Sequence, residues 1–159
     1  MRERVIAAAG TLTKPGRVLV LACEHGAAGG RLDGTVVMPC VAMMPPSLID
    51  FVLSRDLADG VAVAGCAESA CYNRLGIQWT EQRFAGQRDP YLRKRVPRDR
   101  IATIWASALE VTKAQSAIAS FAAAIAGLPP LRLRSPLPVS SISRPGKDRE
   151  PAEVKGDSC

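Results

Sequence analysis

The chain has 159 residues, 47% of them hydrophobic and 23% charged, which suits one folded domain with an ordinary core and excludes a disordered chain. Its longest apolar stretch, residues 117–128, is mostly alanine and falls short of the ~20 strongly apolar residues that cross a bilayer. A net charge of +6 admits nucleic acid, an acidic protein partner or a solvated basic face, but aromatics are only 4% and do not interleave with the cations, which argues against nucleic acid.

In chain order, residues 1–16 read as an N-terminal extension. The basic start and small apolar residues lack the longer greasy segment of a secretory signal, so a frayed, cytoplasmic N-terminus is expected. Residues 18–22 form a continuous β-branched run, and Cys23 follows it directly. A glycine-rich loop, Gly26-Ala-Ala-Gly-Gly30, comes next. It lacks the full dinucleotide fingerprint and the lysine of a phosphate-binding loop, and is expected to cover a site instead. A second run, 35–38, leads through Pro39 to Cys40. Pro45-Pro46 marks a loop before a helix in which Ser47 is expected to cap, with Asp50 at the third position, and Leu48, Ile49, Val52, Leu53 and Leu57 line one face. Asp59-Gly60 ends that helix. A third run, 61–64, is followed by Gly65, Cys66 and, five residues later, Cys71. A second helix is expected over 68–84. A basic stretch extends from Arg83 to Arg100, within which Arg93, Lys94 and Arg95 are candidates for docking an acidic partner. A fourth run covers 101–105, and a third helix 109–126 is stopped by Gly127 and Pro129-Pro130. From 129 to 159 the prolines, serines and mixed charges predict a flexible tail.

Runs that are apolar throughout, rather than alternating, suit strands covered on both faces. Strands alternating with helices give an α/β fold, a mostly parallel sheet of about four strands with flanking helices over residues 17–128.

Five cysteines without an export signal point to metal or catalysis rather than disulfides. In a parallel sheet the C-terminal strand ends share one edge, where open α/β sheets hold their ligands. Cys23, Cys40 and Cys66 each follow a separate strand, and Cys71 is expected at the start of the following helix, so four thiols converge on one rim. A lone buried cysteine is an ordinary small hydrophobe; three on one rim with a fourth nearby favour a metal site. Cys159, at the end of the tail, stands apart.

Four thiolates hold either zinc or an iron–sulfur cluster. Zinc knuckles pair their cysteines closely, and only Cys66-x4-Cys71 approaches that spacing. A two-iron cluster tolerates ligands from separated loops. A helix start would favour its negative charge, and Gly26, Gly29, Gly30 and Gly65 would let backbone amides approach the sulfurs. His25, the only histidine, is a supporting or surface residue, or a substitute ligand on one iron. A thiol enzyme would need a base beside Cys71, and His25 follows a different strand, so the chain by itself is not expected to be an enzyme.

The stretch Cys40-Val-Ala-Met-Met-Pro-Pro-Ser47, then Phe51-Val-Leu53, then Leu57-Ala-Asp-Gly-Val-Ala-Val-Ala-Gly-Cys-Ala-Glu-Ser-Ala-Cys71 resembles the delta (iron–sulfur) subunit of methyl-viologen-reducing hydrogenase. The resemblance continues through Gly76, Glu81 and Arg83 and, more loosely, Trp105-Ala-Ser107. It implies an electron-transfer subunit with one [2Fe–2S] cluster on Cys23, Cys40, Cys66 and Cys71. It further implies electron relay between a hydrogenase or formate dehydrogenase module and a heterodisulfide-reductase-like flavoprotein, with no membrane span. The chain departs from the family pattern at Gly26, where a further cysteine is usual, at Tyr72, where a histidine is common, and in the shorter segment between Cys23 and Cys40. A structural or regulatory zinc domain is the alternative.

Overall fold

A computed structural model of the chain describes residues 1–13, 15–29 and 34–131. The interior strands come from the first and third apolar runs. β1 (Val18–Cys23) and β3 (Gly60–Gly65) are buried at every residue, as strands covered on both faces must be. β2 (Thr35–Met38) and β4 (Ile101–Trp105) are only partly covered and lie at the edges. The order is β2-β1-β3-β4 and every pairing is parallel. The α/β class expected from the run pattern is the class observed.

Alternate strand residues face opposite layers. On one face Leu19, Leu21, Met38, Val61 and Val63 pack against Val5 of α1 (Arg2–Gly10) and against Leu48, Ile49, Val52 and Leu53 of α2 (Ser47–Ser54). On the other, Val20, Ala22, Ala62, Ala64 and Ile104 meet Ala114, Ile118, Phe121 and Ile125 of α4 (Val111–Ala126). Alanines on both sides of that second interface bring the helix close to the sheet. A Cβ on Gly60 would stand 2.9 Å from the Ile125 Cδ1.

Three local expectations change. The N-terminus is not frayed. Residues 2–10 form α1, and Val5 is fully buried. Alanine-rich sequence favours helix, and one valine with Ala9 a turn later suffices to seat it, a stripe too thin for periodicity to reveal. Ser47 is the first helical residue rather than the cap. Pro46 precedes it, no side chain caps the helix, and Asp50 turns inward. The helix expected over 68–84 is split. Glu68–Ala70 makes one 3-10 turn, Arg74 adopts a left-handed φ of +55°, and α3 runs only over Gly76–Phe84. A left-handed residue cannot continue a right-handed helix, so Arg74 is where the element breaks. The tail expected over 129–159 lies, from residue 132, outside the described residues.

Two carboxylates tie the ends of elements. Asp59, ahead of β3, accepts from the Arg17 guanidinium at 3.0 Å and sits below the usual carboxylate range because of that bond. Glu110 accepts from the Ser107 N–H at 2.8 Å and pairs with Lys113, and these bonds, the backbone one first, take its carboxyl from an ordinary 4.5 to about 2. Between those two values the unfolded chain binds a proton that the folded chain does not. The stabilisation is complete above pH 4.5 and is lost as the pH falls towards 2. Urea unfolding midpoints measured down that range should therefore fall less steeply for Glu110→Gln than for the wild type; equal slopes would remove Glu110 from the acid limb.

Candidate metal centre

The chain leaves β1 towards one side of the sheet to form β2, and leaves β3 towards the other to form β4. Loops that diverge from neighbouring strands open a crevice between their C-terminal ends. Cys23 ends β1 and Cys66 follows β3, one on each side of this opening. Their sulfurs are 3.5 Å apart, both side chains are buried, and the Cys23 thiol also donates towards the Pro39 carbonyl at 3.4 Å. Ala22 of β1 is paired with Ala64 of β3, so the two cysteines leave neighbouring strands close together; continued alternation would set them on opposite faces, and the end of β3 at Gly65 lets Cys66 turn to the Cys23 side.

Cys40 enters the same rim from β2. It is buried and stands immediately before the 3-10 turn Val41–Met43. Cys71, half-buried, follows the 3-10 turn Glu68–Ala70 and packs against the cluster that contains Cys23 and Cys66. It precedes α3 by a turn rather than standing in the first turn of a helix. The two are brought together by Gly76, the first residue of α3. A Cβ there would lie 2.7 Å from the Cys40 sulfur and 3.3 Å from the Cys71 sulfur. The absent side chain of Gly76 is the space that both thiols face. The helix start expected near the cysteines is thus delivered by Gly76, eight residues later than its expected position at Glu68.

The four thiols are free and come as two pairs, Cys23 with Cys66 and Cys40 with Cys71. Among the described residues, no three His, Cys, Asp or Glu side chains gather closely enough to hold one metal ion. Burial pushes the Cys23 thiol up to about 12; a backbone hydrogen bond from His25 works the other way, while Cys66 and Cys40 add to the rise. A thiol so placed keeps its proton until a cation replaces it.

His25 extends outwards from the Cys23 loop. Its ring stacks on Tyr72 of the Cys71 loop with centroids 4.2 Å apart, and its Nε2 is 3.3 Å from Glu24. The pair bridges two sulfur-bearing loops at the surface. Gly65 and Gly26 have roles other than approach to sulfur. Gly65 makes room for the Trp105 ring, and Gly26 lies against the Gly65 carbonyl. Gly30 and Cys159 lie outside the described residues.

The basic stretch is largely committed within the fold. Arg93 and Arg95 both pair with the buried Asp50, at 2.9 and 2.6 Å. Arg83 donates to the Ala42 carbonyl, and Arg100 to the carbonyls of Asp59 and Pro129. Arg88 lies over the Trp79 ring. Of the three docking candidates, Arg93 and Arg95 are thus tied to Asp50, whereas Lys94 is exposed. Sequence reading missed Gly76 as a determinant of the site, although a glycine opening a helix soon after a cysteine is the signature of close approach by another chain segment.

Residues 34–129 match the model of a family described as FlpD, methyl-viologen-reducing hydrogenase, delta subunit. The matched stretch includes Cys40, Cys66 and Cys71 and begins after Cys23. No curated protein matches the chain.

Proposed function

The chain belongs to the methyl-viologen-reducing hydrogenase delta-subunit family, and from that premise we propose that it is an electron-transfer subunit carrying one [2Fe–2S] cluster on Cys23, Cys40, Cys66 and Cys71. The observation that carries this reading is the arrangement of four buried or half-buried thiols as two pairs on one sheet rim. Two irons, each taking two thiolates, match two pairs better than a single tetrahedral ion does.

The residues present fit the group. All four donors are soft sulfurs, and the bare Gly76 lets the Cys40 and Cys71 sulfurs stand against the start of α3. The α3 N-terminus at Gly76, which no side chain caps, adjoins these sulfurs, and a helix N-terminus favours negative charge. When bound, such a cluster takes up and returns one electron at a time. The chain's own cysteines would hold it, Cys23, Cys40 and Cys66 from buried positions and Cys71 from the more exposed one. The partners in this reading are a hydrogenase or formate dehydrogenase module on one side and a heterodisulfide-reductase-like flavoprotein on the other, in the cytoplasm. No helix among the described residues is long and apolar enough to cross a membrane.

Anaerobic purification with iron and acid-labile sulfide analysis tests the proposal. Two irons and two sulfides per chain are expected, with a visible absorption band that dithionite bleaches. Cys66→Ser is expected to lose most of that band and Cys159→Ser to keep it. A colourless chain holding one zinc, or a Cys66→Ser variant with an unaltered spectrum, would overturn it.

A further inference from the structure

Gly76, Thr80 and Arg83 stand at positions i, i+4 and i+7 of α3 and share one face of that helix. The face meets the 3-10 turn Val41–Met43, the main packing partner of α3. At its N-terminal end the bare Gly76 admits the Cys40 and Cys71 sulfurs. In its middle the buried Thr80 hydroxyl donates to the Gly76 carbonyl at 2.7 Å, closing the first turn without intruding on the gap. At its far end Arg83 donates to the carbonyl of Ala42, two residues beyond Cys40. The guanidinium therefore grips the turn that presents one of the four sulfurs. Helical side chains lean back towards the N-terminus, which carries this cation towards the sulfurs. Its Nε–H is buried and has no acceptor among the described residues.

From this face we infer that Arg83 is a positioning residue of the sulfur site: it locks the Cys40 turn onto α3 and sets a fixed positive charge behind the Cys40–Cys71 pair. The inference rests on the cluster reading above. A centre ligated by thiolates gains negative charge when it accepts an electron. A cation held nearby in a poorly solvated region favours that reduced form and raises the reduction potential. Arginine keeps its charge at every working pH, so the effect is constant rather than switched. The unpaired Nε–H is in keeping with a group positioned for its charge as well as for its hydrogen bond. Arg88, by contrast, lies on the exposed side over Trp79 and serves as the control cation.

The test uses the full chain with iron and sulfide in place, comparing wild type, Arg83→Gln, Arg83→Lys and Arg88→Gln. Each is titrated redox-wise by visible absorption, and the reduced form is examined by electron paramagnetic resonance. Arg83→Gln removes the charge and, being shorter, the clasp on Ala42, so its midpoint is expected to move to more negative potential. Arg83→Lys restores the charge and should move the midpoint back towards the wild type, while Arg88→Gln should match the wild type. Failure of Arg83→Gln to retain iron, with a native circular dichroism spectrum and loading preserved in Arg83→Lys, would equally support the assignment. An Arg83→Gln midpoint and resonance signal identical to wild type would overturn it, as would an Arg83→Lys shift as large as that of Arg83→Gln. A wild-type chain that takes up no iron and sulfide would instead overturn the cluster reading itself, a result separable from both.

Discussion

With the proposed cluster in place, replacing Gly76 by valine is expected to strip the chain of most of the iron and sulfide while leaving its sheet folded. Gly76 is buried at the first position of α3, where glycine's cost in a helix interior does not apply and an added side chain overpacks, at a cost of roughly 1–3 kcal/mol that leaves the sheet itself intact. The same side chain would begin 2.7 Å from the Cys40 sulfur and 3.3 Å from the Cys71 sulfur. Those sulfurs are the ends of short side chains, and the clash is relieved by swinging Cys40 aside, which removes a donor from its place. Disturbing the surroundings of a metal ligand typically costs roughly 10- to 100-fold in affinity, and valine, larger than alanine, should sit at the severe end. Across Gly76→Ala and Gly76→Val, iron per chain should therefore fall much further than the thermal midpoint read by circular dichroism. Wild-type iron content in both variants would show that the gap plays no part in holding the centre.

The second large effect concerns stability alone. Asp50 sits in the first turn of α2 with its side chain almost wholly buried, held by Arg93 at 2.9 Å and by Arg95 at 2.9 and 2.6 Å. Two guanidinium groups let a carboxylate remain charged in the interior, and its negative charge near the helix N-terminus adds to the benefit. The arrangement is asymmetric, because Arg93 and Arg95 are themselves partly exposed. Removing Asp50 frees two cations to turn into water. Removing both arginines leaves a buried carboxylate with no partner. Arg93→Met with Arg95→Met should therefore destabilise the chain by about 3–5 kcal/mol, and Asp50→Leu by clearly less. Urea unfolding at neutral pH provides the measurement; a double variant as stable as the Asp50→Leu chain would contradict the asymmetry. The segment between α3 and β4 would in either case lose its tie to α2, so charge reversal at Arg93 or Arg95 cannot be taken as a clean probe of partner docking.

The elements that sequence reading described well are those whose signal is local. Four apolar runs gave four strands; the edge strands β2 and β4 match to the residue, and the interior β1 and β3, covered on both faces, extend one residue beyond the run at one or both ends. The elements it missed depend on a single side chain. One valine seats α1, and one left-handed arginine splits the expected helix after Cys71. Periodicity averages over a window and cannot register either. Asp50 was assigned to a helix cap because Ser-x-x-Asp is a local pattern, while its real partners lie 43 and 45 residues away.

By itself, the amino-acid order determined the strands and the placement of Cys23, Cys40 and Cys66 after three of them, hence a common rim, since parallel strands all end on one side. Only the folded chain decided how the thiols are grouped. Strand order placed Cys23 against Cys66 at the diverging loops, and the late start of α3 set a bare glycine between Cys40 and Cys71. Hydrophobic pattern is a property of neighbours along the chain; the gap at Gly76 and the clasp of Arg83 on Ala42 exist only between segments about 35 to 41 residues apart.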